Sequence, residues 1–193
     1  MPNWCNSKLT VIGAPDRVDA FVKKANGPHQ HYKPHRLDPP DKKTRSSPLS
    51  FHQLVPIPDE VMAKDYDPHG YDAEHTLWGV KWGSSNDRLV SQAPGRADYQ
   101  YDTPWGPAGT FFDALSEGEW SDLTFIVSWK EEYPSRGRFA VRDGDAFVNV
   151  DERPDEIEPP KELDENAQSE WWDSWASYYY DRHDAFVNET RPS

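Results

Sequence analysis

The feature that most limits this chain is a shortage of aliphatic core material. Only 33 of its 193 residues are Leu, Ile, Val or Phe, against a formal net charge of −13. Chains that are so charged and so poor in aliphatics usually cannot bury enough apolar surface to fold. Nine Trp, nine Tyr and eight Phe reverse that expectation, since each ring system buries roughly 150–250 Å² when packed. The sequence therefore predicts an aromatic-rich folded core with disordered segments attached. The length fits one domain, or one domain and a tail.

Several classes drop out. No run of about 18 apolar residues is present, so no membrane span is expected. The opening Met1–Lys8 has neither a basic n-region nor an apolar h-region, so a signal peptide is not expected. A single cysteine, Cys5, cannot form an intrachain disulfide or a thiolate zinc site, and a buried structural thiol is its default reading. These features point to the reducing cytosol of a host cell. The acidic balance argues against wide coating of DNA, which needs Lys and Arg to displace counterions.

The charge is uneven. Residues 143–193 hold 15 acidic and 4 basic residues, whereas residues 16–46 hold eight basic and four acidic ones. A basic stretch and an acidic tail thus flank a near-neutral body, and the two can attract one another.

Periodicity gives a coarse element order. Leu9–Ile12 reads as a strand. Pro15–Asn26 reads as a helix with Val18, Phe21 and Val22 on one face. Residues 28–48 read as a long loop insertion, residues 49–55 as a short strand and residues 63–76 as loop. Thr76–Trp82 reads as a short strand or an ordered turn. Ala97–Asp102 alternates as a strand, Pro107 opens a helix to about residue 116, and Leu123–Trp129 is the clearest strand. Arg138–Val141 and Ala146–Val150 form a hairpin about Asp143-Gly144-Asp145, a turn sequence that tolerates positive φ. Residues 151–168 read as an acidic linker, and Ser169–Phe186 as an aromatic helix capped by Ser169, with a tail to residue 193. The expected fold class is α+β: a ferredoxin-like β-α-β-β-α-β split sandwich over residues 1–150, with an antiparallel-rich sheet and helices on one face.

Four segments are distinctive in combination. Met1-Pro2-Asn3-Trp4-Cys5-Asn6 leads into Leu9-Thr10-Val11-Ile12-Gly13. Trp78-Gly79-Val80-Lys81-Trp82 resembles an Asn-Trp-Gly-Thr-Lys-Trp segment, with Val80 in place of Thr. Tyr101-Asp102-Thr103-Pro104-Trp105-Gly106-Pro107 resembles Phe-x-Thr-Ala-Trp-x-Pro, with Pro104 in place of Ala. Trp129-Lys130-Glu131-Glu132 and Gly137-Arg138-Phe139 resemble a strand-end Glu motif. Together, over roughly residues 1–142, they resemble the YubB ferredoxin-like family of small Api-like accessory proteins from phages, prophages and conjugative plasmids. The resemblance implies the same ferredoxin-like fold and a mobile-element setting, and little about activity.

The candidate binding residues are Trp78, Lys81, Trp82 and Trp105, whose rings could stack a base with Lys81 beside a phosphate. The competing reading places Trp4, Trp78, Trp82, Trp105, Trp120 and Trp129 in the core. Glu131 and Glu132 end the strongest strand, near Asp102 and Asp143 if the sheet is ordered as read. They serve either acid–base or metal chemistry or plain solvation. His29, His31 and His35 form a loose cluster in the long loop; a solvated loop and a metal site compete there. Pro2 could act as an N-terminal amine only after loss of Met1. In the last helix, Trp171, Trp175 and Tyr178 share a face, with Trp172 and Tyr179 beside it. That face packs on the chain's own sheet, or docks a partner or a second copy.

Three functions stay open. The first is a non-enzymatic accessory protein that binds a host protein as an anti-defence inhibitor, with the acidic tail either mimicking DNA phosphates or aiding solubility. The second is a small-ligand or nucleotide binder of the sponge type, using the Trp78–Trp82 segment. The third is a metal-dependent hydrolase. No cofactor and no membrane partner are expected, and a homodimer is compatible with the sequence.

Overall fold

The computed structural model describes residues 3–30, 32, 46–132, 135–152 and 159–190. The chain begins with β1 (Trp4–Ile12) and α1 (Pro15–Ala25). The two-residue strands β2 (Gly27–Pro28) and β3 (Ser46–Ser47) pair with each other. Short helices α2 (Phe51–Leu54) and α3 (Asp59–Met62), an irregular turn at Tyr66–Gly70 and α4 (Tyr71–Trp78) follow. Then come β4 (Ser85–Ala93), β5 (Arg96–Pro104), α5 (Gly109–Glu117), β6 (Thr124–Glu131), β7 (Arg136–Arg142) and β8 (Asp145–Glu152). Two helices close the described chain, α6 (Glu165–Asp181) and α7 (His183–Thr190).

One six-stranded antiparallel sheet has the order β4-β5-β1-β6-β7-β8. Its first four strands, with crossovers α1 and α5, form the ferredoxin-like unit, and β7 and β8 extend it. Alternation divides each strand between two faces. Leu9 pairs with Val127 and Val11 with Phe125, and all four are buried toward α1 and α5. The rings fill the volume that the few aliphatics leave. Phe51 stacks on Phe111 with centroids 3.7 Å apart, and Phe21 meets Trp120 edge-on at 5.4 Å. Both crossover helices lie on this face through Val18, Phe21, Phe111, Phe112 and Leu115. Cys5 is a free thiol in the same core, and burial pushes its pKa up.

The other face of the sheet is covered by α6 and α7. Phe186 and Val187 of α7 pack on Ile126 and Ala140. The rings of α6 meet cations instead. The Arg136 guanidinium lies 4.0 Å from the Trp175 ring centre, 4.9 Å from Tyr178 and 5.2 Å from Tyr179. Each such contact contributes roughly 0.5–2 kcal/mol, according to how dry it is.

Several elements differ from the sequence reading. Residues 49–55 are not a strand: Phe51 and Leu54 sit one helical turn apart and are both buried. The second strand of the ferredoxin-like unit is β4; most of residues 66–76 is helical rather than loop, and Thr76–Trp82 is the end of α4 and a turn, not a strand. The aromatic helix starts at Glu165, not Ser169. Asp164 is its cap, accepting a hydrogen bond from the Ala167 N–H at 2.9 Å, and the helix breaks at Arg182. The connecting turn of the β7–β8 hairpin is as expected, with Asp143 at φ 53° and Gly144 at φ 76°. Most of the 28–48 insertion, including His31 and His35, lies outside the described residues, as do Pro2 and residues 153–158. Among the described residues, no helix is long and apolar enough to cross a membrane.

Gly137 marks how tightly β7 is held. A Cβ there would overlap the Val150 carbonyl oxygen and come within 2.6 Å of the Trp129 ring. Gly137→Ala is expected to cost about 1–3 kcal/mol as an overpacking change, read as a lower urea midpoint at an unchanged m value.

Candidate functional site

At one end of the sheet a cleft of about 450 Å³ opens between the start of α5 and strands β6, β7 and β8. Trp105, Trp129 and Phe139 provide aromatic walls. Asp113 of α5, Glu131 of β6 and Asp151 of β8 provide three carboxylates. Gly106 and Gly109 leave bare backbone at the mouth, where an added Cβ would meet nothing within 4 Å. Among the described residues lining the cleft there is no Lys, Arg, His or Cys. Burial and the neighbouring Glu117 carboxylate push the Asp113 pKa up.

The rim is built around two exposed tryptophans. Trp82 is 42% exposed and Trp105 51%, and their ring centres lie 6.1 Å apart. Lys81 Nζ sits 4.2 Å from the Trp82 ring centre and 3.9 Å from that of Trp105. Both tryptophans have left-handed backbones, φ 67° and φ 61°, a conformation costing a bulky residue of the order of 1–3 kcal/mol. Each is pinned by its own N–H. Trp82 N donates to Glu74 Oε2 at 2.6 Å, and Trp105 N donates to the Asn3 carbonyl at 2.8 Å.

Glu74 is the anchor behind this rim. It is fully buried. Besides Trp82, it accepts from Gln30 Nε2 at 2.7 Å, Tyr32 Oη at 2.9 Å and Tyr66 Oη at 3.1 Å. Burial pushes its pKa up, while the four donors act the other way. Gly79, at φ 72°, ends α4 in a left-handed turn and leads the chain to Lys81.

The four distinctive sequence segments meet here. Asn3 Nδ2 donates to Glu131 Oε2 at 2.7 Å while its carbonyl holds Trp105. Glu132 N donates to the Trp4 carbonyl at 3.0 Å. Lys81 reaches Trp105 across the rim.

The structure separates the other candidates. Trp78 is not at the surface: it is fully buried, and its indole N–H donates to the Val55 carbonyl at 2.9 Å. Trp120 and Trp129 are likewise buried. Glu131 and Glu132 do not form a site with Asp102 and Asp143. Asp102 projects from the opposite face, where it accepts from Asn6 and Asn86, and Asp143 lies by Ser121 at the far end of β6. Among the described residues, no three His, Cys, Asp or Glu are gathered closely enough to hold a metal ion. Trp171 packs edge-on against Trp172, while Trp175, Tyr178 and Tyr179 surround Arg136 on the back of the sheet. Asp113, Asp151 and Glu74 carried no sequence signal, because a lone acid has no period to betray its partners; Phe139 lies within a motif segment that does not mark it as a site residue.

Residues 77–171 match the family model described as the ferredoxin-like domain in Api92-like protein. The fold is similar to the crystal structure of a protein api92 from Yersinia pseudotuberculosis. The TM-score is 0.59 at 9% sequence identity, covering 79% of this chain and 98% of that one. No curated protein gives a significant match. The ferredoxin-like architecture expected from the element order is thus found by both comparisons.

Proposed function

We propose that this chain is a non-enzymatic accessory protein that binds a host protein, and that its acidic aromatic cleft receives an arginine or lysine side chain of that partner. The observation that carries the reading is the grouping of Asp113, Glu131 and Asp151 with Trp105, Trp129 and Phe139 in one open cleft. A guanidinium lies flat on an aromatic face and donates in a fork to a carboxylate. A net charge of −13 would speed encounter with a basic surface. The phage or plasmid setting of YubB-type proteins, action in the host cytosol and antagonism of a defence component belong to this reading.

A second reading, a nucleotide binder, is favoured by Lys81 held between two exposed rings. The carboxylates beside it oppose a phosphate. One calorimetric experiment separates the two. An arginine-bearing peptide is expected to bind, and Asp113→Asn with Asp151→Asn is expected to weaken it roughly tenfold or more. A glutamate-bearing peptide should give no heat. Equal binding of both peptides, or indifference to the two substitutions, would overturn the reading. Nucleotide binding that is lost in Lys81→Ala at an unchanged melting temperature would install the second in its place.

A further inference from the structure

On the back of the sheet, strand register lines cations into rows. Arg88 faces Gln100, which faces Lys8, then Ser128, then Arg138, across five strands. The next row runs Asp102, Asn6, Lys130, Arg136 and Glu152. The first row contains no carboxylate of its own, and its Arg138 pairs with Glu189 of α7 at 3.6 Å. In the second, Arg136 is paired with Glu152, and Asp102 accepts from Asn6 and Asn86.

Helix α6 lies across both rows, and its chemistry is unusual for a structural cover. Its seventeen residues include six Trp or Tyr, four carboxylates and no cation, and only Ala176 is buried. Its contacts with the sheet are rings on cations. Lys8 Nζ lies 4.4 Å from the Tyr180 ring centre and Lys130 Nζ 5.3 Å from it. Arg138 lies 5.1 Å from the Tyr179 ring. Lys130 also donates to Ser177 Oγ at 2.7 Å, and Arg136 donates to the Trp175 carbonyl. The firm attachment is instead in α7, through the apolar Phe186 and Val187 and the buried, hydrogen-bonded His183. The chain breaks between the two helices at Arg182.

Flat rings over guanidinium and ammonium groups are what the bases of single-stranded nucleic acid offer to a protein, while the four carboxylates of α6 are exposed and the ion pairs of Arg136 and Arg138 are made with Glu152 and Glu189. We propose that the Lys8, Lys130, Arg136 and Arg138 face is a binding surface for single-stranded nucleic acid, and that α6 is an exchangeable cover whose rings stand where the bases would stack. The negative charge of the whole chain opposes unspecific coating of DNA. It does not oppose a local cationic strip from which one acidic helix has lifted. The site is on the opposite face from the cleft, so the two proposals stand or fall separately.

The test uses the full chain and a labelled oligothymidylate, followed by fluorescence anisotropy. Trp175→Ala with Tyr179→Ala loosens the cover and is expected to tighten binding about tenfold over the unsubstituted chain. Adding Lys130→Ala and Arg138→Ala should abolish that gain. Engagement of four phosphates predicts a slope of about −3 for log affinity against log salt. In the unsubstituted chain, saturating oligonucleotide should make residues 165–181 more open to protease, a readout that does not depend on any variant folding. Absence of binding by the loosened variant with its far-UV spectrum intact would overturn the proposal. So would binding unaffected by loss of the cations, or α6 equally protected with and without oligonucleotide. Equal displacement of α6 by polyglutamate would assign the face to acidic peptides and overturn the nucleic-acid assignment.

Discussion

Glu74→Ala is expected to cost about 3–5 kcal/mol, the scale of leaving several buried donors unsatisfied beside a cavity. The reason lies in the donors left behind. Gln30 Nε2, Tyr32 Oη, Tyr66 Oη and Trp82 N all converge on the two oxygens of this fully buried side chain. Truncation strands all four beside a void. At the usual conversion for a domain of this size, the melting temperature should fall by roughly 6–20 °C. Glu74→Gln keeps the shape and half of the accepting capacity, so it should lose less. The effect should also reach the cleft rim, because the Glu74 bond is what pins Trp82 in its left-handed conformation. Near-ultraviolet dichroism of Glu74→Gln should therefore change in the Trp region. A Glu74→Ala protein with an unaltered melting temperature would remove Glu74 as the anchor. The pKa direction gives a second check. A carboxyl whose folded pKa lies above its unfolded value contributes most at low pH, and that contribution declines as pH rises through the folded pKa. The unsubstituted chain should thus gain stability relative to Glu74→Gln as pH falls toward the ordinary carboxyl range.

The element order was legible where a face alternates or a stripe repeats. β5, β6, the β7–β8 hairpin, α1 and α5 all announce themselves, because each buries one side against a shared core. β4 does not. It is an edge strand with most residues exposed, and register shifts interrupt its pairing between Ser85 and Arg88 and again between Leu89 and Ser91. Bulges destroy the two-residue period that sequence reading depends on. The ferredoxin-like order nevertheless emerged, because Leu49–Val55, which is apolar for a different reason, filled the vacant place in the pattern. Helix α4 was hidden by Glu74, a charged residue at the position where the helical stripe calls for an apolar one. The cleft was partly legible. Lys81, Trp82, Trp105 and Glu131 could be named from the motif segments. Asp113 and Asp151 enter only through the pairing of β6, β7 and β8 and the placement of α5, which no local pattern encodes; Phe139 lies in a motif segment, but its place in the cleft depends on the same pairing.

The last helix gives the second large expectation, and it concerns acid. His183 is buried where α7 meets the sheet, with Nδ1 2.9 Å from Ser128 Oγ and Nε2 3.0 Å from Thr10 Oγ1. Thr10 donates its one hydroxyl hydrogen to Asp98 Oδ1 at 2.6 Å. Thr10 Oγ1 must then accept from His183 Nε2–H, which leaves Nδ1 to accept from the Ser128 hydroxyl. The imidazole is neutral and both nitrogens are used. Burial holds its pKa down at about 4, with Lys8 and Arg96 acting in the same sense and Asp184 and Asp98 opposing them. A folded pKa below the unfolded value of 6.5 means that the unfolded chain binds the proton first. Stability from this group is therefore complete above pH 6.5 and is lost as pH falls to about 4, an amount of about 3 kcal/mol. Asp98, Asp122 and Glu152, whose pKa values are lowered, add their own losses at more acid pH. The comparison with His183→Gln isolates the histidine, because the carboxylates are common to both proteins. The stability advantage of the unsubstituted chain over the variant should shrink by about 3 kcal/mol between pH 6.5 and 4. Protease sensitivity of residues 183–190 should rise over the same interval, since the proton takes away the acceptor that ties α7 to β6. A constant difference between the two proteins across that range would mean that His183 carries its proton in the folded state, and the hydrogen-bond assignment through Thr10 would be wrong.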